Sequence, residues 1–334
     1  MTAFIIATIH MNLCIGTLSH VEPKKPAVHD VLTRLMRFEV CGEFMLTEVG
    51  HGLDARNLET TATLQSDGSF RLQSPSTASA KAMPPTTPLY FMPRVAVVFA
   101  RLIVSEADHG VKAFLVQLSD GLRMYPGITS RPLPNRPGTR ALDHSITTFD
   151  NVHLTQDSLL SDFGRAVDQR RDFMHQIHRV SIGTLSLSIM GVSALRAGTY
   201  IVAKYSQRRV VGAGPLRAPI IDYSTQFRPI VKAWTYTVIL EAYARWTIKA
   251  FMSSCEGSPE QHALATIFKV VAMRTPQILD ELSERCGWQG LFDYNQIKEL
   301  SLTIRGNVIA EGDCLVLSIR ECLKRSGELK TDTL

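Results

Sequence analysis

The chain has 334 residues, of which 45% are apolar, so it can bury a substantial core and divide into two or more domains. Its 36 Lys and Arg residues exceed its 31 Asp and Glu residues by five, and this excess includes no polybasic run. The charge therefore does not favour nucleic-acid binding, but it is compatible with a basic cleft for an anionic ligand.

The cysteines and the first residues bear on the compartment. The six cysteines form no Cys-x-x-Cys pair and have no His-rich partner segment, so reduced thiols in an intracellular compartment and no bound metal are expected. The apolar start lacks a basic region and is interrupted by His10 and His20. Neither a secretory signal nor a membrane span is expected.

The first half of the chain predicts helices and then short strands. Residues 1–40 predict one or two helices with a break marked by Pro23 and Pro26. Residues 41–160 contain short runs rich in β-branched and aromatic residues, separated by Gly, Pro, Asp and Ser. The clearest runs are 70–72, 95–104 and 112–118. This texture is typical of a domain built from short strands.

Residues 161–334 predict a helical bundle. Amphipathic stretches cover residues 164–209 and 226–254, and a third helix begins after Ser258, which is a suitable N-cap. Pro276 is expected to kink or end that helix, and a last helix should start just after Glu311. The predicted fold class is therefore α+β, with a strand domain followed by an antiparallel helical bundle.

Two motifs carry the functional signal. Thr47–Gly52 reads Thr-Glu-Val-Gly-His-Gly and is followed at 58–63 by Leu-Glu-Thr-Thr-Ala-Thr, while Glu311–Asp313 reads Glu-Gly-Asp. Together with the helical segments between them, these motifs resemble the flavin-binding half of the peroxisomal acyl-CoA oxidases, relatives of the acyl-CoA dehydrogenases. The resemblance implies a remnant of the N-terminal helical domain at 1–40, a β-barrel-like middle domain at 41–160 and a C-terminal bundle at 161–334.

The resemblance assigns FAD as cofactor and Thr47, Gly50 and Gly52 as residues that contact it. A hydroxyl beside backbone amides suits the polar edge of a flavin ring, and glycines let the backbone approach closely. Taken without the longer match, Gly50 and Gly52 are better explained as residues that shape a turn at a strand end, and the longer match reverses that preference.

Arg209 and Gln226 lie where relatives place an arginine and a glutamine against the flavin pyrophosphate, often across a subunit boundary. Residues 205–209 read Tyr-Ser-Gln-Arg-Arg and 222–226 read Asp-Tyr-Ser-Thr-Gln. An arginine fork suits phosphate oxygens, although a solvated helix end explains paired arginines equally well.

Glu311 matches the catalytic glutamate of the family. The resemblance implies that its carboxylate removes the proton α to a thioester carbonyl, while a hydride leaves the β-carbon for flavin. Burial against an apolar pocket would raise its pKa toward neutrality. The alternative is an acidic residue that stabilises a helix start through the helix dipole.

The chain departs from the family pattern in three segments, the shortest of which is residues 314–315, Cys-Leu where relatives have Asn-Thr. Residues 81–86 read Lys-Ala-Met-Pro-Pro-Thr where relatives have Lys-Trp-Trp-Pro-Gly-Gly, and residues 286–290 read Cys-Gly-Trp-Gln-Gly where they have Cys-Gly-Gly-His-Gly. The match also omits most of the N-terminal helical domain and the second C-terminal helical domain of a complete oxidase.

The leading hypothesis is an FAD-dependent acyl-CoA oxidase or dehydrogenase that introduces an α,β double bond into an acyl-CoA thioester. The first motif is of the oxidase type, which favours the oxidase, with molecular oxygen as electron acceptor. It would serve fatty-acid β-oxidation or tailor a fatty acyl or polyketide chain, as a homodimer or with a homologue. The resemblance implies a peroxisomal location, with the cytoplasm as alternative because the chain ends Lys-Thr-Asp-Thr-Leu. The competing hypotheses are a catalytically silent partner of a full-length homologue and a fragment that does not fold alone.

Overall fold

The computed structural model describes residues 1–21, 25–88, 91–139 and 142–326. The predicted break at Pro23 and the last five residues lie outside these ranges. The described chain forms two compact units. The strand unit comprises chiefly residues 2–135 and 141–180, and the helical unit comprises chiefly residues 136–140 and 181–333. The predicted domain limits at residues 40 and 160 stay predictions.

The described residues of the strand unit form helices at both of its ends and nine strands between them. Its helices are α1 (Thr2–Ala7), α2 (Gly16–Val21), α3 (His29–Met36) and α4 (Gln169–Gln176), with a π-helix at Thr8–Ile15. Its strands are β1 (Cys41–Met45), β2 (Thr61–Leu64), β3 (Phe70–Gln73), β4 (Lys81–Ala82), β5 (Arg94–Val104), β6 (Ala107–Ser119), β7 (Ile128–Pro132), β8 (Ser145–Phe149) and β9 (Val152–Leu154).

The sheet topology centres on β5. The order β1-β5-β2-β3-β9 forms the larger sheet, in which β1 and β2 pair parallel with β5 and β6 pairs antiparallel with it. A smaller antiparallel sheet has the order β4-β8-β7. The three strongest predicted runs correspond to β3, β5 and β6, so those strand predictions are confirmed.

Both faces of β5 are buried, which explains its nearly continuous apolar sequence. Val95, Val97 and Phe99 pack into a core cluster with the N-terminal helices. Ala96 and Val98 pack into a second cluster with β3 and β6. Because side chains alternate across a strand, a strand covered on both faces needs apolar residues at every position.

The described residues of the helical unit form most of α5 and five further α-helices. These elements are α5 (Arg179–Arg208), α6 (Ser224–Ser253), α7 (Pro259–Arg274), α8 (Ile278–Glu284), α9 (Ile297–Ile309) and α10 (Cys314–Ser326), with a short hairpin of β10 (Val210–Val211) and β11 (Ala218–Pro219). An ideal Cβ on Gly191 would lie 2.1 Å from the carbonyl oxygen of Ala272, so glycine allows α5 and α7 to approach closely.

Most local helix signals are confirmed. Ser258 accepts a hydrogen bond from the Gln261 amide at the start of α7, and the helix ends just before Pro276. Asp313 accepts from the amides of Leu315 and Val316 and caps α10. The predicted α+β fold class is confirmed.

Two helix predictions need correction. The single stretch predicted at 164–209 is wrong, because helix begins only at Gln169 and is interrupted at Ile177, where φ is −102° and ψ is 14°. The α9 helix was not predicted. Its N-cap, Gln296, provides no capping hydrogen bond and has a left-handed backbone with φ of 67°, so no ordinary start signal precedes this helix.

Two described helical stretches are long and apolar enough to cross a membrane by length and composition alone. They are Thr2–Val21 and Arg179–Arg208, of which 39% and 56% of the most apolar window is buried within the structure. Core helices of water-soluble proteins pass the same criterion, so it is weak evidence for a span. The expected absence of a membrane span stays a prediction.

Candidate functional site

The Thr47–Gly52 segment follows β1 and is fixed by its backbone. The Ala82 amide donates to the carbonyl oxygen of Thr47 at 2.9 Å, and the Gly50 amide donates to that of Ala78 at 2.8 Å. Thr47 is half-buried, and its hydroxyl makes no hydrogen bond to any described residue. The fold thus holds the Thr47 backbone while it leaves the hydroxyl available to a ligand.

The two glycines of the segment face different surroundings. An ideal Cβ on Gly50 would lie 2.8 Å from the Ala78 Cβ, so the chain itself requires a glycine there. Gly52 is exposed, and an ideal Cβ on it would have no heavy atom within 4 Å. Packing within the chain accounts for a glycine at position 50 but not for one at position 52.

The Glu48 side chain connects the two parts of the first motif. Its carboxylate is buried and accepts from the amides of Glu59 and Thr60 at 2.7 and 3.0 Å and from the Thr60 hydroxyl at 2.6 Å. Charge-assisted bonds of this kind are stronger than neutral ones. Hydrogen bonds from residues 59 and 60 to Glu48 therefore join the two parts of the motif into one assembly, which we call the Glu48 assembly. Sequence analysis missed this relation.

Lys81 completes this assembly from β4. Its ammonium is fully buried and donates to Glu48 Oε1 at 3.0 Å and to the carbonyl oxygen of Phe99 at 2.7 Å. Burial lowers the pKa of Lys81 to about 8, and the charge of Glu48 opposes that shift. A buried ammonium beside a buried carboxylate keeps its charge at neutral pH.

His51 and Glu59 form a second, partly exposed contact between the same two segments. His51 Nε2 lies 3.2 Å from Glu59 Oε1, and the Ser76 hydroxyl donates to Glu59 Oε2 at 2.6 Å. These hydrogen bonds, the one from Ser76 first, lower the pKa of Glu59. The imidazole of His51 is thus held by a contact with a side chain of the same unit.

Glu311 lies in the helical unit, in the turn between α9 and α10. Its backbone is left-handed, with φ of 55°, and Gly312 follows with φ of 94°. The Glu311 Oε2 atom is buried and has no hydrogen-bond partner among the described residues. Burial raises the pKa of Glu311 to about 7, and the positive charge of Lys269 opposes part of that shift. A carboxyl group in this state can exchange a proton near neutral pH.

Arg209 and Gln226 also lie in the helical unit, at the C-terminal end of α5 and the N-terminal end of α6. Arg209 is exposed, and its backbone amide donates to the carbonyl oxygen of Tyr205. Gln226 Nε2 donates to the Ser206 hydroxyl and to the carbonyl oxygen of Arg285, each at 2.8 Å. Gln226 thus joins α5 and α6 to the 285–290 segment.

Curated relatives of this chain are acyl-CoA oxidases. It is 26% identical over 309 residues to peroxisomal acyl-coenzyme A oxidase 1 of Arabidopsis thaliana, covering 85% of this chain and 46% of the relative. It is 26% identical over 317 residues to human peroxisomal acyl-coenzyme A oxidase 3, covering 86% and 45%. The chain therefore spans about half the length of these relatives. No family model matches it.

Solved structures show the same fold. An acyl-CoA oxidase from tomato superposes with a TM-score of 0.79 and 24% identity over 98% of this chain and 54% of its own. Butyryl-CoA dehydrogenase from Megasphaera elsdenii gives a TM-score of 0.77 and 19% identity over 96% and 77%. The chain resembles the acyl-CoA oxidases and has the acyl-CoA oxidase and dehydrogenase fold.

A third acyl-CoA oxidase structure contains ligands. Acyl-CoA oxidase-2 of Caenorhabditis elegans, bound with FAD, ascaroside-CoA and ATP, superposes with a TM-score of 0.75 and 22% identity over 98% of this chain and 52% of its own. Those ligands are properties of that oxidase. For this chain the likeness establishes the fold.

The 83–86 segment, where this chain departs from the acyl-CoA oxidase pattern, is anchored in the strand unit. Pro84 and Pro85 are buried, and the Arg94 guanidinium donates to the Pro85 carbonyl oxygen. The Thr86 hydroxyl is fully buried and contacts the hydroxyl of Ser145 at 2.6 Å. Proline and threonine are therefore accommodated here by interactions inside the chain.

The second departure from the acyl-CoA oxidase pattern is Trp288, which is 67% exposed and packs edge-on against Phe292. Gly290 is retained for a reason internal to the fold, since an ideal Cβ there would lie 2.1 Å from the Ser283 carbonyl oxygen. The indole thus projects from a segment whose backbone is tightly held.

Proposed function

We propose that this chain is an FAD-dependent, acyl-CoA oxidase-like oxidoreductase that introduces an α,β double bond into an acyl-CoA thioester. The relatives and the fold support the class of enzyme. The observation that carries the chemistry is the Glu311 carboxyl, whose buried Oε2 atom has no described partner and whose pKa burial raises to about 7. A base of this pKa matches proton abstraction at neutral pH.

Glu311 takes the proton from the α-carbon of the thioester at a carboxylate oxygen. The electron pair of that C–H bond becomes the new double bond as a hydride leaves the β-carbon. Thr47, Gly52 and Arg209 would hold FAD, which would supply the acceptor for that hydride, and molecular oxygen is the proposed final electron acceptor. Because only the ionised carboxylate acts as base, the rate of proton removal should rise with pH through about 7.

The residues assigned to FAD fit that role to different degrees. Thr47 offers a hydroxyl with no described partner, and Gly52 is unobstructed by its own chain. Arg209 is exposed and supplies a cation suited to phosphate. Both N–H groups of the Gln226 amide are already engaged, so any contact of Gln226 with FAD uses Oε1 or requires the amide to turn.

The absorption spectrum of the purified protein tests the proposal. After incubation with FAD and removal of free cofactor, the protein should show flavin absorbance, and an acyl-CoA thioester should bleach it in the absence of oxygen. Hydrogen peroxide formed in air would identify the oxidase. Protein that retains no flavin, in a sample that melts cooperatively, would contradict the assignment.

Gly52 and Gly50 provide a matched pair of variants for the cofactor. Gly52→Val should leave the free energy of unfolding within about 0.5 kcal/mol of wild type, since the new side chain meets nothing. It should weaken FAD binding at least tenfold because the side chain occupies the approach proposed for the cofactor. Gly50→Val should instead lose about 1–3 kcal/mol of stability through overlap with Ala78.

Thermal melting and fluorescence titration with FAD separate these effects. If Gly52→Val binds FAD as tightly as wild type, Gly52 does not face the cofactor. If Gly52→Val loses stability as Gly50→Val does, the segment is packed differently from the structure described above.

We further propose that the chain forms a homodimer through α6. Its exposed residues Phe227, Val231, Trp234 and Val238 recur at intervals of four, three and four, which places them on one helix face. Trp234 also lines a shallow apolar hollow with Tyr200 of α5. An exposed apolar face of this kind marks an interaction surface, and a second copy presents a complementary one.

Trp234→Lys should therefore shift the wild-type dimer to monomer, as measured by light scattering after size exclusion. Trp246→Lys is the control, because Trp246 is similarly exposed on α6 but lies about 90° around the helix from this face. A wild-type protein that is monomeric at micromolar concentration would contradict the homodimer, and co-purification with a homologous oxidase would support a hetero-oligomer.

The relatives support a proposal about location, since several of them are named peroxisomal. We propose a peroxisomal location, with the substrate drawn from fatty-acid β-oxidation or from a tailored fatty acyl or polyketide thioester. The chain's relatives provide no support for the catalytically silent partner. Steady-state assays across acyl-CoA chain lengths would define the substrate.

A further inference from the structure

The turn that carries Glu311 is held at three successive carbonyl oxygens by side chains from other helices. The Lys269 ammonium on α7 donates to the carbonyl oxygens of Ala310 and Gly312. The Thr184 hydroxyl on α5 donates to the carbonyl oxygen of Glu311 at 2.7 Å. Lys269 is fully buried and Thr184 is nearly so. Helices that are distant in sequence thus fix each peptide unit around one carboxyl-bearing residue.

We propose that Lys269 and Thr184 are positioning residues that clamp the Ala310–Gly312 turn and so fix the direction in which the Glu311 carboxyl points. This inference rests on the proposed role of Glu311 as the base. Neither Lys269 nor Thr184 contacts the reacting atoms in this scheme. Each acts on the backbone that carries the carboxyl.

The backbone conformation explains why a clamp is needed. Glu311 has φ of 55°, a left-handed conformation that disfavours residues with a Cβ and persists only where the surroundings impose it. Gly312 follows with φ of 94°, which suits glycine. The turn also begins at the C-terminal end of α9, where carbonyl groups lack partners within the helix and a cation is favourable. The Lys269 ammonium supplies both the hydrogen bonds that these carbonyl groups lack and the favourable positive charge.

Two of the three N–H donors of Lys269 bond to backbone carbonyl oxygens, and no bond from Lys269 to the Glu311 carboxyl is seen among the described residues. Its Oε2 atom has no partner among the described residues. A direct ion pair would hold the carboxylate away from a substrate, whereas a nearby charge without a direct bond keeps it reactive. The charged and titratable groups that act on this turn are Lys269, Arg274, Asp313 and Cys314.

The electrostatic consequence is specific to Lys269. Burial raises the pKa of Glu311, and the ammonium charge lowers it again. Burial likewise lowers the pKa of Lys269, opposed by the charges of Cys314, Glu311 and Asp313. Loss of Lys269 should therefore raise the pKa of Glu311 further. Loss of the Thr184 hydroxyl should loosen the turn but leave the ammonium charge of Lys269 in place.

The test uses the full chain with Lys269→Met, Thr184→Val and Thr184→Ser. The pKa of Glu311 is measured by carbon-13 NMR of labelled glutamate carboxyls, assigned with Glu311→Gln, and turn mobility is measured by amide hydrogen exchange at residues 310–313. Both readouts are made without flavin or substrate. Lys249→Met is the matched control, because Lys249 is exposed on α6.

We expect Lys269→Met to raise the pKa of Glu311 by at least one unit and to shift the pH profile of α-proton exchange upward by the same amount. Thr184→Val should leave that pKa within about 0.3 units, speed amide exchange in the turn at least tenfold and lower the α-proton exchange rate about tenfold, with rescue by Thr184→Ser. Lys249→Met should change none of these.

A folded Lys269→Met variant with unchanged Glu311 pKa and unchanged turn mobility would overturn the proposal. If Lys269→Met does not fold, Thr184→Val decides, and unchanged amide exchange at 310–313 in that variant would overturn it. The role of Glu311 fails separately, since a wild-type protein without α-proton exchange contradicts the proposed base whatever the NMR and amide readouts show.

Discussion

Replacing Glu311 with Gln should abolish exchange of the α-proton of a bound acyl-CoA thioester. The amide has nearly the same shape but cannot accept a proton at neutral pH, and loss of a general base lowers a rate by roughly 10²–10⁴-fold. Deuterium uptake at the α-carbon, followed by mass spectrometry of the thioester in deuterated water, measures the step directly. Unchanged exchange would remove Glu311 from the mechanism.

Glu284→Gln is the matched control for this substitution. Glu284 ends α8 in the same helical unit and is exposed. The change in charge is identical, so a general effect of lost negative charge would appear in both variants. Flavin content must also be equal in the two variants, because a lower rate caused by lost cofactor would not concern the base.

The stability of the Glu311→Gln variant provides an independent check that needs no substrate. Burial raises the pKa of Glu311 from 4.5 to about 7 in the folded chain, so the folded state binds more protons than the unfolded state between these values. The stabilising contribution of the protonated group is therefore present below about 4.5 and is lost as the pH rises through about 7. Across that pH range the free energy of unfolding of the variant should rise relative to that of wild type, by roughly 3 kcal/mol at most.

Replacing Lys81 with Met should destabilise the strand unit by about 3–5 kcal/mol, because it leaves the buried Glu48 carboxylate without its cation. The free energy of unfolding from urea titration, monitored by circular dichroism, measures the loss. A change below about 1 kcal/mol would mean that the pair is not buried as described. Lys249→Met, an exposed substitution of the same kind, should change stability by less than about 0.5 kcal/mol.

The double variant Glu48→Gln with Lys81→Met separates the charge from the packing. Glu48→Gln keeps one acceptor oxygen, so it can accept from only one of the Glu59 and Thr60 amides, which bond to different carboxylate oxygens, but it removes the charge that Lys81→Met leaves unpaired. The double variant should therefore be more stable than Lys81→Met alone. A simple sum of the two single losses would show that the two side chains do not interact.

The elements of the fold were largely predictable from local signals. The alternating and continuous apolar runs identified β5 and β6, and Ser258 with Pro276 marked the limits of α7. The break in the first long helix at Ile177 and the start of α9 were missed. Both depend on backbone conformations, such as the left-handed Gln296, that no short sequence pattern specifies.

The candidate site was predictable only in part. The resemblance singled out Thr47 and Glu311, but their roles stay proposals. The contacts of Glu48 with Thr60 and Lys81 span 12 and 33 positions, and those of the Glu311 turn with Lys269 and Thr184 span 41 to 127. Partners so far apart become neighbours only through tertiary packing, which periodicity and capping signals do not encode.

The buried contacts of Glu48 limit how far the first motif indicates the function of a distant homologue. The strand unit needs Glu48, Thr60 and Lys81 whether or not flavin binds, since loss of Glu48 or Lys81 leaves a buried charge unpaired and loss of Thr60 removes a hydrogen bond to the buried Glu48 carboxylate. A homologue that has lost redox activity would therefore still need these three residues in order to fold. Thr47 and Gly52, for which we propose contacts with FAD, are better positions for testing whether a homologue binds flavin, because contacts within the chain do not account for a free hydroxyl at position 47 or a glycine at position 52.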